Sequence, residues 1–149
     1  MRIVAATDGS EPANRAVDLA ARLAKTLNGR LKIIHVVTER DAEADKMGDY
    51  AHSEGHESSA EAANMFSEEK LRIACQRAEA LGVSNVESAS LLELEAGAIA
   101  ETIMDAAHGD DANMIVLGKR GLSRLSGLLV GSVSQKVVSA ATCAVVVVP

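Results

Sequence analysis

The chain has 149 residues, 48% of them hydrophobic and 24% charged, which is the balance of an ordinary globular domain long enough to bury a core. With one Tyr, one Phe and no Trp, stacking of bases on aromatic side chains is excluded as a mode of recognition. A formal charge of −6 argues against a general binder of nucleic acid or anionic membrane. Cys75 and Cys143 fit no CxxC spacing, so neither a disulfide framework nor a structural zinc site is expected. No apolar stretch reaches the ~18 residues of a transmembrane helix, and the apolar run in the opening MRIVAATDGS is too short for a signal peptide. One domain over 1–149, in a reducing cytoplasm and without membrane insertion, is the expectation.

Arg2 to Thr7 (RIVAAT) reads as a short buried strand stopped by Asp8-Gly9-Ser10. Ser10 suits a helix N-cap, with Glu11 and Pro12 in the first turn. Helical spacing runs through Ala16, Leu19, Ala20, Leu23 and Leu27, and Asn28-Gly29 closes it. Leu31 to Val37 (LKIIHVV) is a second strand, so the crossover between the two is expected to be right-handed and the strands parallel. From Glu39 to Glu61 eight acidic residues face only Arg40 and Lys46, which places the whole net charge of the protein in this stretch. Poor in large apolar residues, it reads as a mobile surface loop leading into a helix. That helix is predicted over Ser59 to Leu81, with Met65, Leu71, Ile73, Ala74, Ala78 and Leu81 facing inward and Gly82 ending it.

Val83 to Leu94 (VSNVESASLLEL) is a weaker strand whose Ser and Glu residues suit an edge. A helix follows over about Ala98 to Ala107, ending near His108-Gly109, then a fully apolar strand at Met114 to Leu117 and a last buried strand at Cys143 to Val148. Between these two strands a helix is expected to start at Ser132. Such alternation of strand and helix predicts an α/β fold, a doubly wound parallel sheet with helices on both faces.

The stretch Gly118 to Ser132 carries the chemistry. A strand ending in glycine, then a basic loop with Lys119, Arg120 and Arg124, then Gly131-Ser132 opening a helix, is a general recipe for holding phosphate. Glycines let the backbone approach an anion. The free N–H groups and dipole at a helix start favour negative charge, and Ser132 and Ser134 add hydroxyls there. No GxxxxGK[ST] occurs, and AATDGS after the first strand is no GxGxxG, so neither a P-loop NTPase nor a Rossmann dehydrogenase fits.

Gly118-x2-Gly121-x9-Gly131-Ser132 resembles the ATP-binding signature of the universal stress protein family. The similarity extends along the chain, through Thr7-Asp8-Gly9-Ser10, His35-Val36, Gly131-Ser132-Val133-Ser134 and the Cys143-to-Pro149 tail. This resemblance implies a five-stranded parallel sheet of order 3-2-1-4-5, Rossmann-like and of the adenine nucleotide α-hydrolase-like type. Strands one and four would then be neighbours where the winding reverses, opening a crevice at their carboxyl ends. It also implies Ala6, Thr7 and Val36 around adenine, Leu117 and Gly118 beside adenine or ribose, and Asp8 near adenine or ribose and the phosphate side, through Mg²⁺ if one is bound. Gly121, Gly131, Ser132, Val133 and Ser134 would cradle the phosphates of ATP, with Arg120 adding charge. Lys119-Arg120 departs from the family's more usual small polar residue followed by Arg or His.

Each feature has a plainer reading beside it. Asp8 could be a turn residue bonding local N–H groups, although its place at the switch point favours the site. His35, inside an apolar strand, reads as structural, while His52 and His56 sit among carboxylates where a loop explains them more cheaply than a metal. Cys75 and Cys143 read as packing residues. An apolar strand such as Val145 to Val148 needs cover, and the resemblance implies a homodimer through Cys143 to Val148, or a higher oligomer built on it. The function implied is an ATP-binding regulatory homodimer of the stress response, read by an unidentified protein partner. A slow Mg²⁺-dependent ATPase, and a partner-binding module such as a transporter regulator with no obligatory nucleotide, stay open beside it.

Overall fold

Strands covered on both faces must be apolar at consecutive positions, and three segments of this chain meet that demand. In the computed structural model, residues 1–38, 59–93, 97–119 and 130–149 are described, with 59–63 described by backbone alone. The elements are β1 (Arg2–Ala6), α1 (Glu11–Thr26), β2 (Arg30–Thr38), α2 (Ser59–Ala80), β3 (Val86–Glu93), α3 (Ile99–Gly109), β4 (Met114–Gly118), α4 (Ser132–Ala140) and β5 (Ala144–Val148). All strand pairs are parallel, in the order β3-β2-β1-β4-β5. This is the expected 3-2-1-4-5 sheet. Residues 39–58, with His52 and His56, lie outside the described residues, and α2 has already begun at Ser59.

Two apolar layers sandwich the sheet. Ile3, Ala5, Leu31, Ile33 and Val116 pack against Ala16, Val17, Ala20, Ala21 and Ala24 of α1 and Leu71, Ala74 and Ala78 of α2. On the opposite face Val4, Ile34, Val36, Ile115 and Leu117 meet Ala100, Ile103 and Ala107 of α3 and Val137 of α4. The side-chain period of two in a strand sends neighbours such as Ile33 and Ile34 into different layers.

The buried stripe of α1 differs from the expected one. Its sheet-facing positions are mainly alanines, while Leu19 and Leu23 are half-buried and Leu27, at the C-cap, is 47% exposed. Small side chains let the helix axis approach the sheet, and the leucines then flank the contact. In α2, Met65 (60%) and Ile73 (42%) turn outward instead of inward. The buried stripe is Ser67, Leu71, Ala74 and Ala78, and a serine takes the first place because its hydroxyl has buried partners. Arg77 of α2 donates to both carboxylate oxygens of Asp18 on α1, at 3.0 and 2.7 Å. That hydrogen bonding holds the Arg77 guanidinium above its usual pKa.

Helix α3 ends at Gly109, as expected, and the chain turns at Asp111, whose φ is +46°. Strand β3 lies at one edge as expected, beginning at Val86 rather than Val83; Leu94 lies outside the described residues. The last strand starts at Ala144 rather than Cys143, and its valines are half-buried rather than buried, because β5 is the opposite edge. No helix among the described residues is long and apolar enough to cross a membrane.

Candidate functional site

Ala6 pairs with Ile34 on one side and Leu117 on the other, so β1, β2 and β4 reach a common level at their carboxyl ends. The Thr7 N–H donates to the Ile34 carbonyl at 2.9 Å and carries the chain one step further along β2. Val36 lies two residues beyond Ile34 on that strand. Thr7 (5%), Val36 (9%) and Leu117 (3%) are all buried, and Ala6 is half-buried. Because α1 covers one face and α3 and α4 the other, β1 and β4 part here in opposite directions. Ala6, Thr7, Val36, Leu117 and Gly118, predicted from scattered segments, therefore meet at one rim.

The turn from β1 into α1 is made by side chains acting on the backbone. Thr7 Oγ1 accepts the Gly9 N–H at 3.2 Å and Asp8 Oδ1 accepts the Ser10 N–H at 3.0 Å. Gly9 has φ +82°, a conformation that side-chain-bearing residues rarely adopt. Ser10 then caps α1, its hydroxyl accepting from the Ala13 N–H at 3.4 Å, with Glu11 and Pro12 in the first turn as expected. Asp8 is thus a turn acceptor and a rim carboxylate together.

Opposite this turn the start of α4 is tied to the end of β4. Lys119 N–H donates to the Val148 carbonyl, and the Lys119 carbonyl accepts from the Gly131 N–H at 2.8 Å. Gly131 is the N-cap, extended at φ −67° and ψ 154°, and as a glycine it brings no side chain to cap the helix. The first helical bond runs from Gln135 N–H to the Gly131 carbonyl at 2.9 Å. The N–H groups of Ser132, Val133 and Ser134 precede it, where a helix offers them no internal acceptor. This end carries the positive pole of the helix. Arg120, Gly121 and Arg124 lie outside the described residues.

The two serines differ in what they offer. Ser132 is exposed, whereas Ser134 is buried and its hydroxyl donates to the Gly118 carbonyl at 2.7 Å. The Ser134 side chain thus holds α4 to β4, and its backbone N–H remains at the helix start. Ser134→Ala is expected to lower stability by about 1–2 kcal/mol by leaving a buried carbonyl unpaired, against a change within about 0.5 kcal/mol for Ser132→Ala. Urea unfolding of the two variants side by side measures the difference.

Two residues escaped sequence reasoning. His35 is structural as expected, 3% exposed, with Nδ1 2.8 Å from Ser67 Oγ. Ser67 Oγ lies 2.6 Å from Ser90 Oγ on β3, and Lys70 Nζ lies 3.5 Å from His35 Nε2. Ser67 and Lys70 share a face of α2 because they are three residues apart. The usable signal was a histidine in an apolar strand, which needs polar company from whatever helix covers it. Two cavities, of about 160 and 320 Å³, open at the amino ends of the strands, the first beside Arg2 and Arg30 and the second beside Ala112 and Cys143. Neither touches the rim residues.

The model of the Universal stress protein family matches residues 1–149. The chain is 36% identical over 146 residues to the Thermus aquaticus "Universal stress protein in QAH/OAS sulfhydrylase 3′region", covering 98% of this chain and 96% of that protein. It is 30% identical over 147 residues to the universal stress protein YxiE of Bacillus subtilis (strain 168), covering 99% and 97%. Among solved structures, a universal stress protein in complex with cAMP superposes with a TM-score of 0.72 at 27% identity, covering 100% of this chain and 97% of that one. With the reversed winding, the Asp8 turn and the Gly131-capped helix in place, the chain belongs to the universal stress protein family.

Proposed function

We propose that this protein binds ATP at the rim where β1 and β4 diverge, and acts as a nucleotide-responsive regulatory homodimer. The observation that carries the reading is the start of α4, where the first turn behind the glycine N-cap faces the end of β4 across Gly118. Phosphate oxygens suit those N–H groups and the positive end of the helix dipole. The apolar rim of Ala6, Val36 and Leu117 suits an adenine ring, which gains from leaving water. Thr7 would join them around adenine, and Asp8, at the turn after β1, would stand near adenine or ribose and the phosphate side, with Mg²⁺ carried on the phosphates having it as a carboxylate. The related structure in complex with cAMP supports an adenine nucleotide as the class of ligand. Arg120 and Gly121 belong to the same proposed cradle by their place in the sequence motif.

The dimer follows from the edge. Among the described residues β5 pairs on one side only, and it presents half-buried valines. Pairing with its equivalent in a second copy would cover both. Nucleotide binding would then be read by a protein partner through a shift in population between two states of the dimer, as part of a cytoplasmic stress response.

Calorimetric titration of nucleotide-stripped protein with ATP and Mg²⁺ tests this. Binding in the micromolar range, worth about −8 kcal/mol, is expected, together with its loss in Gly131→Val, which places a branched side chain beside the first N–H groups of α4. No heat and no displacement of a fluorescent ATP analogue would overturn it. Phosphate release that disappears in Asp8→Ala while binding persists would turn the reading to a slow Mg²⁺-dependent ATPase. A monomer by sedimentation at tens of micromolar would remove the dimer.

A further inference from the structure

We infer that Lys70 and His35 act as positioning residues, a strut that holds the Thr7–Ser10 turn and with it Asp8; the consequence for ligand binding rests on the nucleotide reading above. Gly9, at φ +82°, is the bend of that turn. A Cβ placed on Gly9 would meet Lys70 Cγ at 3.4 Å and its Cδ and Cε at 3.6 Å. Three methylenes of Lys70 therefore lie across the bend. A lysine stem is free to swing in water and loses rotamer freedom when it is pinned. Here its far end is held, because Nζ reaches His35 Nε2.

The direction of the hydrogen bonds follows from the donor inventory. An ammonium group only donates, so His35 Nε2 accepts and Nδ1 carries the imidazole proton. Nδ1–H then donates to Ser67 Oγ, which shares a second hydrogen bond with Ser90 Oγ. A single polar chain thus runs from the bend through α2 and β2 to β3. Ser67 is 0% exposed and His35 is 3% exposed, so each would be costly to bury without the others. Buried networks of this kind specify one geometry, because each member satisfies the next. Were the network only cement between α2 and the sheet, it would need Ser67, His35 and Ser90 alone. Lys70 extends it to the turn that bears Asp8.

The strut is tested in the ligand-free protein first and with ATP second. In Lys70→Ala, amide exchange at Gly9 and Ser10 is expected to rise about tenfold or more, while exchange in the middle of α1 and α2 stays as in the wild type. The imidazole ¹⁵N signals of wild-type His35 should report the Nδ1–H tautomer. Lys70→Met, which keeps an apolar stem without the ammonium, should remain closer to Lys70→Ala than to wild type. ATP affinity in Lys70→Ala should fall about tenfold with the melting temperature within a few degrees of wild type. Unchanged exchange at Gly9 and Ser10, the Nε2–H tautomer, or full rescue by methionine would each overturn the strut. A wild-type protein that binds no ATP would sink the nucleotide reading, and the amide measurements would still decide the strut.

Discussion

Gly118→Val is expected to lower the unfolding free energy by about 3 kcal/mol and to abolish ATP binding. A Cβ on Gly118 would lie 2.8 Å from both the Ala13 nitrogen and the Pro12 carbonyl carbon, and 3.0 Å from Pro12 Cβ. Most of these are backbone atoms in the first turn of α1, so no flexible side-chain end can yield. Either the start of α1 or the end of β4 must move. The first carries the Ser10 cap and the Asp8 turn, and the second holds α4 through the Ser134 bond to the Gly118 carbonyl. Both halves of the proposed site therefore lose their relative position. Gly118→Ala brings the same clash with a smaller side chain and should cost about 1–2 kcal/mol. Urea midpoints at unchanged slope measure both, and a Gly118→Ala protein within about 0.5 kcal/mol of wild type would contradict the close approach.

Ile34→Ala should destabilise the fold to a similar degree, by about 2–5 kcal/mol, yet leave the site working. Ile34 is 0% exposed at the middle of the sheet, paired with Ala6 on β1 and Ala89 on β3, in the layer packed on α3 and α4. Its neighbours are helix and strand atoms that close only partly on a cavity. The bond that matters to the rim is made by its carbonyl, which accepts from Thr7 N–H and is retained in alanine. A fall in melting temperature of about 6–12 °C is expected, with ATP affinity at 10 °C within about threefold of wild type. Loss of binding in the still-folded Ile34→Ala protein would show that the rim depends on core packing as well as on backbone.

The motif residues were legible because each has a local cause. Asp8, Gly9 and Ser10 stop a strand and cap a helix, and Gly131-Ser132 open another. Misreadings arose where a local pattern admits more than one partner. On α1 the expected stripe held with Ala16 and Ala20, whereas Leu19, Leu23 and Leu27 gave way to further alanines, since what matters is how near the helix comes. Met65 and Ile73 on α2 are apolar by type and outward by position. Ser67 is polar and fully buried, which only His35 and Ser90 explain.

By itself the sequence determined the α/β class, the order of elements and, through resemblance, the family and the strand order. Apolar runs of strand length, helix caps and glycine stops act within about ten residues of one another, so they can be read along the chain. Only the tertiary structure decided that Gly118 must lack a side chain to admit α1, that the Ser134 hydroxyl is committed to β4, and that Lys70 lies on Gly9. Each of these joins segments 16 or more residues apart, and such contacts are set by how layers close on the sheet rather than by any property of the residues beside them.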